Sequence, residues 1–281
     1  MIDALVEAVR EVGRTEILPR AQRVRGERKR DGSLFTEADT AAQAALIRRL
    51  RRVHDCPVIG EEMTREAQRA AWGQGAGPAW CVDPIDGTTN FLQGIPYYAV
   101  SVALIEHGRA RLGVVYNPAM DETFHAVAGA GAFLDGARIA PRPAPARLAD
   151  AIASVELKRM PRAAAQRLAR ELPWYSYRNF GAAALDWCWL AAGRFDVYLH
   201  ASHMLWDYAA GALVLAEAGG VMSTFEADDF FAGEPWSKPV LAARDPRLFE
   251  EWRRYVRARL GSPRARAART ARAAPRRSRR A

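Results

Sequence analysis

Cysteine is scarce in this chain: Cys56, Cys81 and Cys188 are an odd number, widely separated, with no Cys-x-x-Cys pair. That argues against a disulfide framework and a structural zinc site. Free, buried thiols in a reducing cytoplasm are the expectation, since unpaired cysteine is among the most buried residue types. Long apolar runs are also lacking. No stretch approaches the roughly 18 residues of a membrane span, and Asp3, Glu7, Arg10 and Glu11 interrupt the N-terminal MIDALVEAVREVGRTE. The expectation is a soluble, cytoplasmic protein with neither a span nor a secretory signal.

Acid is absent from one end. The formal charge is +9, but the final 21 residues, GSPRARAARTARAAPRRSRRA, hold eight arginines and no Asp or Glu, so residues 1–260 carry 9 − 8 = +1. The body is nearly neutral, which removes the nucleic-acid signature from it. The 261–281 segment has no large apolar side chain to offset the entropy of ordering, and its composition predicts disorder. Two readings of it stay open: a contact with RNA, an acidic partner or anionic lipid, or a by-product of Arg- and Ala-rich coding.

What is present suits a large core. The chain has 281 residues, 49% of them hydrophobic, enough for one or two domains. Leu5, Val9, Val12 and Ile17 recur at helical spacing, predicting an amphipathic helix over residues 3–22. A second helix is expected from Glu37 to Val53, with Thr36 as N-cap and Asp39 three residues on in a capping box. Segments 97–106, 111–116 and 123–127 read as an antiparallel meander. Beyond Ala151, strand-like patches (152–157, 195–199) alternate with helical ones (182–192, 206–218), suggesting an α/β half. The Pro-rich ARIAPRPAPARLAD joins the halves, giving expected units of 1–145, 146–260 and the tail 261–281.

Chemistry is concentrated in Asp83-Pro84-Ile85-Asp86-Gly87-Thr88. Pro84 fixes one backbone angle and donates no hydrogen bond, so the loop between the acids stays open and both can face one site. Carboxylates are hard ligands suited to Mg²⁺, and Ile85 can add its carbonyl. A helix starting near Thr88 aims the N–H groups of Gly87 and Thr88 at an anion such as phosphate. Glu61 ends another apolar run, and Asp207 opens a helix behind Trp206. Singly, such acids usually cap or stay solvated. Together, a buried unpaired set of them implies bound metal.

Here a resemblance becomes specific. Gly60-Glu61-Glu62, then Trp80-Cys81-Val82-Asp83-Pro84-Ile85-Asp86-Gly87-Thr88-Thr89-Asn90-Phe91, then Leu205-Trp206-Asp207-Tyr208-Ala209-Ala210-Gly211 with Glu217-Ala218-Gly219-Gly220, resemble the signature motifs of the inositol monophosphatase family, in the family order. KRDGSLFTEAD, from Lys29 to Asp39, and Gly181-Ala182-Ala183-Ala184-Leu185-Asp186 are similar to two further family segments. The likeness covers residues 1–260. It implies α+β and α/β halves in a layered α-β-α-β-α sandwich of the inositol monophosphatase and fructose-1,6-bisphosphatase type. It also implies a homodimer, lithium sensitivity and two to three Mg²⁺ ions. Carried over, Glu61, Asp83 and the Ile85 carbonyl hold one ion, and Asp83, Asp86 and Asp207 a second. Glu61 helps with a third. Thr88 and Glu61, with Asp39 behind them, position the attacking water, and Gly87 and Thr88 bind phosphate. Metal-acidified water then displaces the alkoxide in line.

The substrate side departs from the pattern. His200 stands where the family commonly has a Glu that accepts hydrogen bonds from substrate hydroxyls, and an imidazole accepts one at most. Arg178 and Asn179 fall where the leaving group is lined, and Arg178 suits an acidic or second-phosphate group. A surface position is expected for His54, His107, His125 and His203, and a packing or dimer contact for Trp187 and Trp189. The ranked functions are an inositol or polyol monophosphatase, a histidinol-phosphatase and a 3'(2'),5'-bisphosphate nucleotidase. The alternative from another class is a catalytically quiet protein that binds RNA or a partner through its basic tail. Deleting residues 262–281 should leave the catalytic constants for a small phosphate ester unchanged and weaken salt-sensitive polyanion binding. Paired assays at low and physiological salt test this. A several-fold loss of turnover at physiological salt, where the screening length is about 8 Å, would place the tail in the active site.

Overall fold

A computed structural model describes residues 1–21, 23–24, 26–28, 34–73, 75–140 and 142–260. The expected disordered tail, and Lys29 with the four residues after it, lie outside the described residues. The chain opens with α1 (Ile2–Val12), which passes through a π-helical turn at Gly13–Ile17 into a 3₁₀ turn at Leu18–Arg20. One long helix over 3–22 was expected. Pro19 in the last turn, which has no amide hydrogen for the ladder, is consistent with its tightening there. A short ribbon, β1 (Glu27–Arg28) with β2 (Leu34–Phe35), leads to α2 (Glu37–Val53). Its capping box is in place: Thr36 Oγ1 accepts from Ala38 N–H at 3.1 Å, and Asp39 Oδ2 accepts from the Thr36 backbone N–H at 2.7 Å.

A seven-stranded sheet follows, in chain order from edge to edge. Its strands are β3 (Val58–Gly60), β4 (Ala79–Asp86), β5 (Ala99–Glu106), β6 (Arg109–Asn117), β7 (Glu122–Val127), β8 (Gly131–Leu134) and β9 (Ala137–Arg138). Only β3 and β4 are parallel, joined by α3 (Arg65–Trp72); the rest form the meander, with α4 (Thr88–Gln93) between β4 and β5. After the Pro-rich joint comes a five-stranded sheet of order β11-β10-β12-β14-β13. It is built from β10 (Ile152–Glu156), β11 (Ser176–Arg178), β12 (Val197–Met204), β13 (Val221–Ser223) and β14 (Ser237–Ala243). Its helices are α5 (Arg162–Glu171), α6 (Ala183–Ala191), α7 (Leu205–Glu217) and α8 (Pro246–Arg259).

Three apolar interfaces stack these elements into five layers. Leu5, Val9 and Leu46 of α1 and α2 cover one face of the seven-stranded sheet, meeting Trp80, Val82, Val100 and Val114. The opposite face, with Cys81, Ala103 and Phe124, packs on α6 and α7, which in turn cover Tyr198, Val240 and Ala242 of the second sheet. The far side of that sheet, Val155, Leu199 and Leu241, is closed by Leu168, Leu248 and Trp252 of α5 and α8. This is the expected α-β-α-β-α sandwich. With both faces of β4 buried, alternate residues go to different cores and the strand reads as apolar throughout. Among the described residues no helix is long and apolar enough to cross a membrane.

The middle layer is tight. A Cβ on Gly211 of α7 would stand 2.4 Å from Trp187 Cβ on α6, so the helices meet where only glycine fits. Gly211→Ala should therefore cost about 1–3 kcal/mol through overpacking, read from the midpoint of urea unfolding. A change below about 0.5 kcal/mol would show that the contact yields freely.

Candidate active site

The site begins with a register error that the fold requires. Residues three apart on a regular strand face opposite sides, so Asp83 and Asp86 should diverge. On β4, however, Asp83 pairs with Ser101 and Asp86 with Ala99. Three steps on one strand match two on the other, which is a β-bulge, and the extra residue turns both acids to the same side. Pro84 fits the bulge because no ladder donor is needed there. The expectation of an open loop between the acids is thus corrected: the strand runs on through Asp86, with the irregularity inside it. Asp83 Oδ1 accepts from Ile85 N–H at 3.0 Å, and the Ile85 carbonyl accepts from Thr88 Oγ1–H at 3.1 Å.

Neighbouring elements deliver the other acids. Strand β3 runs parallel to β4 with Gly60 opposite Val82, so Glu61 emerges beside Asp83 and its N–H bonds the Val82 carbonyl at 3.1 Å. Gln43 Oε1 receives the Glu62 N–H, and Gln68 Nε2 donates to the Gly60 carbonyl, which pins this turn from two helices. Asp207 lies in the first turn of α7, its Oδ2 accepting from Met204 N–H at 2.8 Å. One carboxylate oxygen from each of Asp83, Asp86 and Asp207 lies within 4.8 Å of the other two.

Asp86 ties the halves together, since its Oδ2 accepts the Ala184 N–H of α6 at 2.6 Å. Ala182, at the N-cap of α6, has no side chain to do so. The approach to α6 is stapled by Asn90, whose Nδ2 donates to both the Tyr97 and Phe180 carbonyls at 2.7 Å. Gly87 has φ +90°, and a Cβ there would come 2.9 Å from Ala182 Cβ. Glycine is therefore required for the turn and for the close approach of the two segments.

The electrostatics are those of a cation site. Burial first, then the charges of Glu61, Asp86 and Asp207, push the Asp83 carboxyl well above the usual range. Burial and then Asp86 and Glu61 raise Asp207 in the same way. Asp86 is pushed up to about 7 by burial, opposed by the α6 amides. Asp39, raised to about 7 chiefly by burial, also feels Glu62 and Glu61. Hard oxygens converging with mutual repulsion fit Mg²⁺ or a similar ion, and Asp83, Asp86 and Asp207, with Glu61 alongside, could hold it.

Other candidates fall elsewhere. His200 is half-buried on β12, its Nδ1 accepting from Ser202 N–H at 3.2 Å. Arg178 is exposed, with NH1 on Ser176 Oγ and the Tyr177 carbonyl, and Asn179 Nδ2 donates to Glu156 at 3.0 Å. The expected surface position of His203 is wrong. It is fully buried, accepts from Trp187 Nε1–H at 3.2 Å on Nδ1, and meets Tyr198 Oη with Nε2 at 2.9 Å. Half-buried His54 and His125 also depart from that expectation. Two polar residues carried no expected role: Asp186, which closes the Gly181–Asp186 segment and is a buried acceptor for Tyr97 Oη–H at 2.8 Å, and exposed Arg159, whose charge reaches Asp207, His200 and His203. The motif pointed to Asp186 without its role, and nothing in the sequence around Arg159 marked it.

The chain matches the model of the inositol monophosphatase family over residues 1–274. It is 33% identical to an inositol-1-monophosphatase of Mesorhizobium japonicum, covering 80% of this chain and 86% of that one. It is 34% identical to the Nus factor SuhB of Pasteurella multocida over 79% and 82% of the two chains. The crystal structure of the extragenic suppressor protein suhB from Bartonella henselae superposes with a TM-score of 0.77 at 30% identity, over 90% of this chain and 96% of that one.

Carboxyls raised on folding give a definite pH dependence. Without a cation, the folded chain keeps protons at Asp86 and Asp39 that the unfolded chain has released above its pKa of about 4. Stability is then full below that pKa and lost as pH rises through about 7. In chelator the melting temperature should fall between pH 5 and 8, and Mg²⁺ should restore several degrees at pH 8. A melting temperature that rises over that window, or ignores Mg²⁺ at pH 8, would contradict this.

Proposed function

The chain belongs to the inositol monophosphatase family, and from that premise we propose that it is a magnesium-dependent phosphatase acting on a small phosphate monoester. The reading is carried by the bulge that puts Asp83 and Asp86 on one side, within 4.8 Å of an Asp207 oxygen. Glu61, Asp83 and the Ile85 carbonyl are assigned to one ion, and Asp83, Asp86 and Asp207 to a second, with Glu61 reaching a third. A divalent cation held there supplies positive charge that lowers the pKa of water and offsets charge on the departing oxygen.

The chain's own groups do the rest. Thr88 gives its hydroxyl proton to the Ile85 carbonyl at 3.1 Å, so its oxygen lone pairs are free to orient a water. Glu61 takes that water's proton side, and Asp39 acts on Glu61 through its charge. The N–H groups of Gly87 and Thr88 hold the phosphoryl oxygens, with Gly87 keeping a side chain out of the way. Inositol monophosphate or a related polyol phosphate ranks first as substrate, in keeping with the name of the Mesorhizobium relative. Histidinol phosphate and 3'-phosphoadenosine nucleotides follow. We extend the family expectation to lithium inhibition and a homodimer. A second reading, action through a nucleic-acid or protein partner, is supported by relatives named Nus factor SuhB and by the eight arginines after Gly261.

Asp83→Asn should abolish turnover, by a thousandfold or more, and leave the fold intact, because the amide keeps the shape and loses the charge. Turnover should also require Mg²⁺ and vanish in chelator. Circular dichroism beside steady-state rates decides it. Activity within a few-fold of the parent, or full activity after exhaustive chelation, would overturn the assignment.

A further inference from the structure

One cleft lies away from the acids. Between the end of β10, the last turns of α5 and edge strand β11, Leu157, Leu168, Ala169, Leu172, Trp174 and Tyr177 line a space of about 130 Å³. A cavity of roughly 150 Å³ takes up one benzene molecule, so the space suits a single ring. Leu168 and Trp174 belong to the apolar layer between the five-stranded sheet and helices α5 and α8. The cleft is therefore on the opposite face of that sheet from α6 and α7, which supply the Asp86 contact and Asp207.

Three features mark it as a ligand site rather than a packing defect. Trp174 is 7% exposed, and its Nε1–H is buried with no acceptor among the described residues. Buried indoles usually find a partner, because an unmet donor is destabilising. Water is a poor substitute here: it needs two to four polar partners, and apart from this N–H and the Tyr177 hydroxyl the lining side chains are hydrocarbon. Next, Leu172 caps α5 in the left-handed conformation, φ +41°, where glycine is usual. Its side chain is left 49% exposed at the opening, apolar surface that a ligand would cover. Finally, the rim is basic. Lys158 and Arg170 adjoin Leu157 and Ala169 in the chain, are exposed, and have no carboxylate partner among the described residues. The nearby acids are engaged elsewhere: Glu171 by Arg167, Arg259 and the Tyr255 hydroxyl, and Glu156 by the Lys158 backbone N–H and Asn179.

We propose that this cleft binds a monocyclic aromatic anion, with the ring among the leucines, a neutral oxygen accepting from Trp174 Nε1–H, and the charged group outside beside Lys158 and Arg170. The charge stays at the rim because burying an unpaired anion is strongly unfavourable. An apolar body oriented by a few polar groups is the usual form of a small-molecule site. The site stands or falls independently of the phosphatase reading. Its probe is 4-acetylbenzoate, compared with 4-isopropylbenzoate, which keeps the shape without the inner oxygen, and with 4-acetylbenzamide, which lacks the charge. Titrated by calorimetry into the Mg²⁺-loaded full chain, 4-acetylbenzoate should bind once per chain with a Kd below about 1 mM. Each analogue should bind weaker by about fivefold or more, through the unmet N–H or the lost charge. Trp174→Phe, which keeps a ring and loses the N–H, should erase the preference for acetyl over isopropyl; should it fold poorly, the same comparison on the parent still tests the donor. Ala169→Phe, which fills the cleft from the exposed side of α5, should abolish binding, and Arg170→Gln should weaken the two anions but not the amide. Asp83→Asn should bind as the parent does. Absence of saturable binding, equal affinity for the acetyl and isopropyl probes, or affinity within twofold of the parent in Ala169→Phe would overturn the site. Binding lost in Asp83→Asn and kept in Ala169→Phe would overturn it too, by placing the ligand at the acids.

Discussion

Mutual repulsion among buried carboxylates is the constraint on which this architecture depends. Asp83 and Asp86 are both buried, and Asp207 opens onto the same space. Unpaired ionised carboxylates in such a place are strongly disfavoured, and proteins either protonate them or neutralise them with a cation. Ordinary packing gives no reason to gather them. The bulge in β4, which interrupts a central strand to do so, makes sense as a device for binding charge.

Much of the surrounding structure holds that cluster still. The helix termini α6 and α7 present their amide ends to Asp86 and Asp207, adding fixed partial positive charge where the acids converge. These helices form the middle layer, so Asp86, carried on β4, is fastened both to the seven-stranded sheet and to the layer shared with the second sheet. Asn90 bonds the carbonyls of Tyr97 and Phe180, residues 83 apart in sequence. The buried chain of Trp187, His203, Tyr198, Asp186 and Tyr97 satisfies its polar atoms internally, the condition under which a polar core stiffens a site. A displacement of α6 would therefore disturb Asp86 and the wall beside His200 together.

Elements whose signals are local were legible in the sequence. The capping box at Thr36 and Asp39 fixed the start of α2, and the Val-, Tyr- and Ile-rich runs marked the meander. The acids and Gly87-Thr88 stood out because their order and spacing matched known motifs. What escaped depends on pairing between distant segments. That Asp83 and Asp86 share one side was expected from an open loop at Pro84; that a bulge inside a continuous strand does it shows only in the register with β5. His203 reads as a surface residue because its satisfying partners lie 16 and 5 residues away in sequence.

On the proposed function, the bulged strand serves to hold a divalent cation beside Asp207 at the start of α7. Crystals grown with Mn²⁺ in place of Mg²⁺, measured at the manganese absorption edge, test it most directly. An anomalous peak bounded by carboxylate oxygens of Asp83, Asp86 and Asp207 is expected, lost in crystals of Asp83→Asn. A well-ordered site with no anomalous peak, or a peak bound only by other residues, would contradict it.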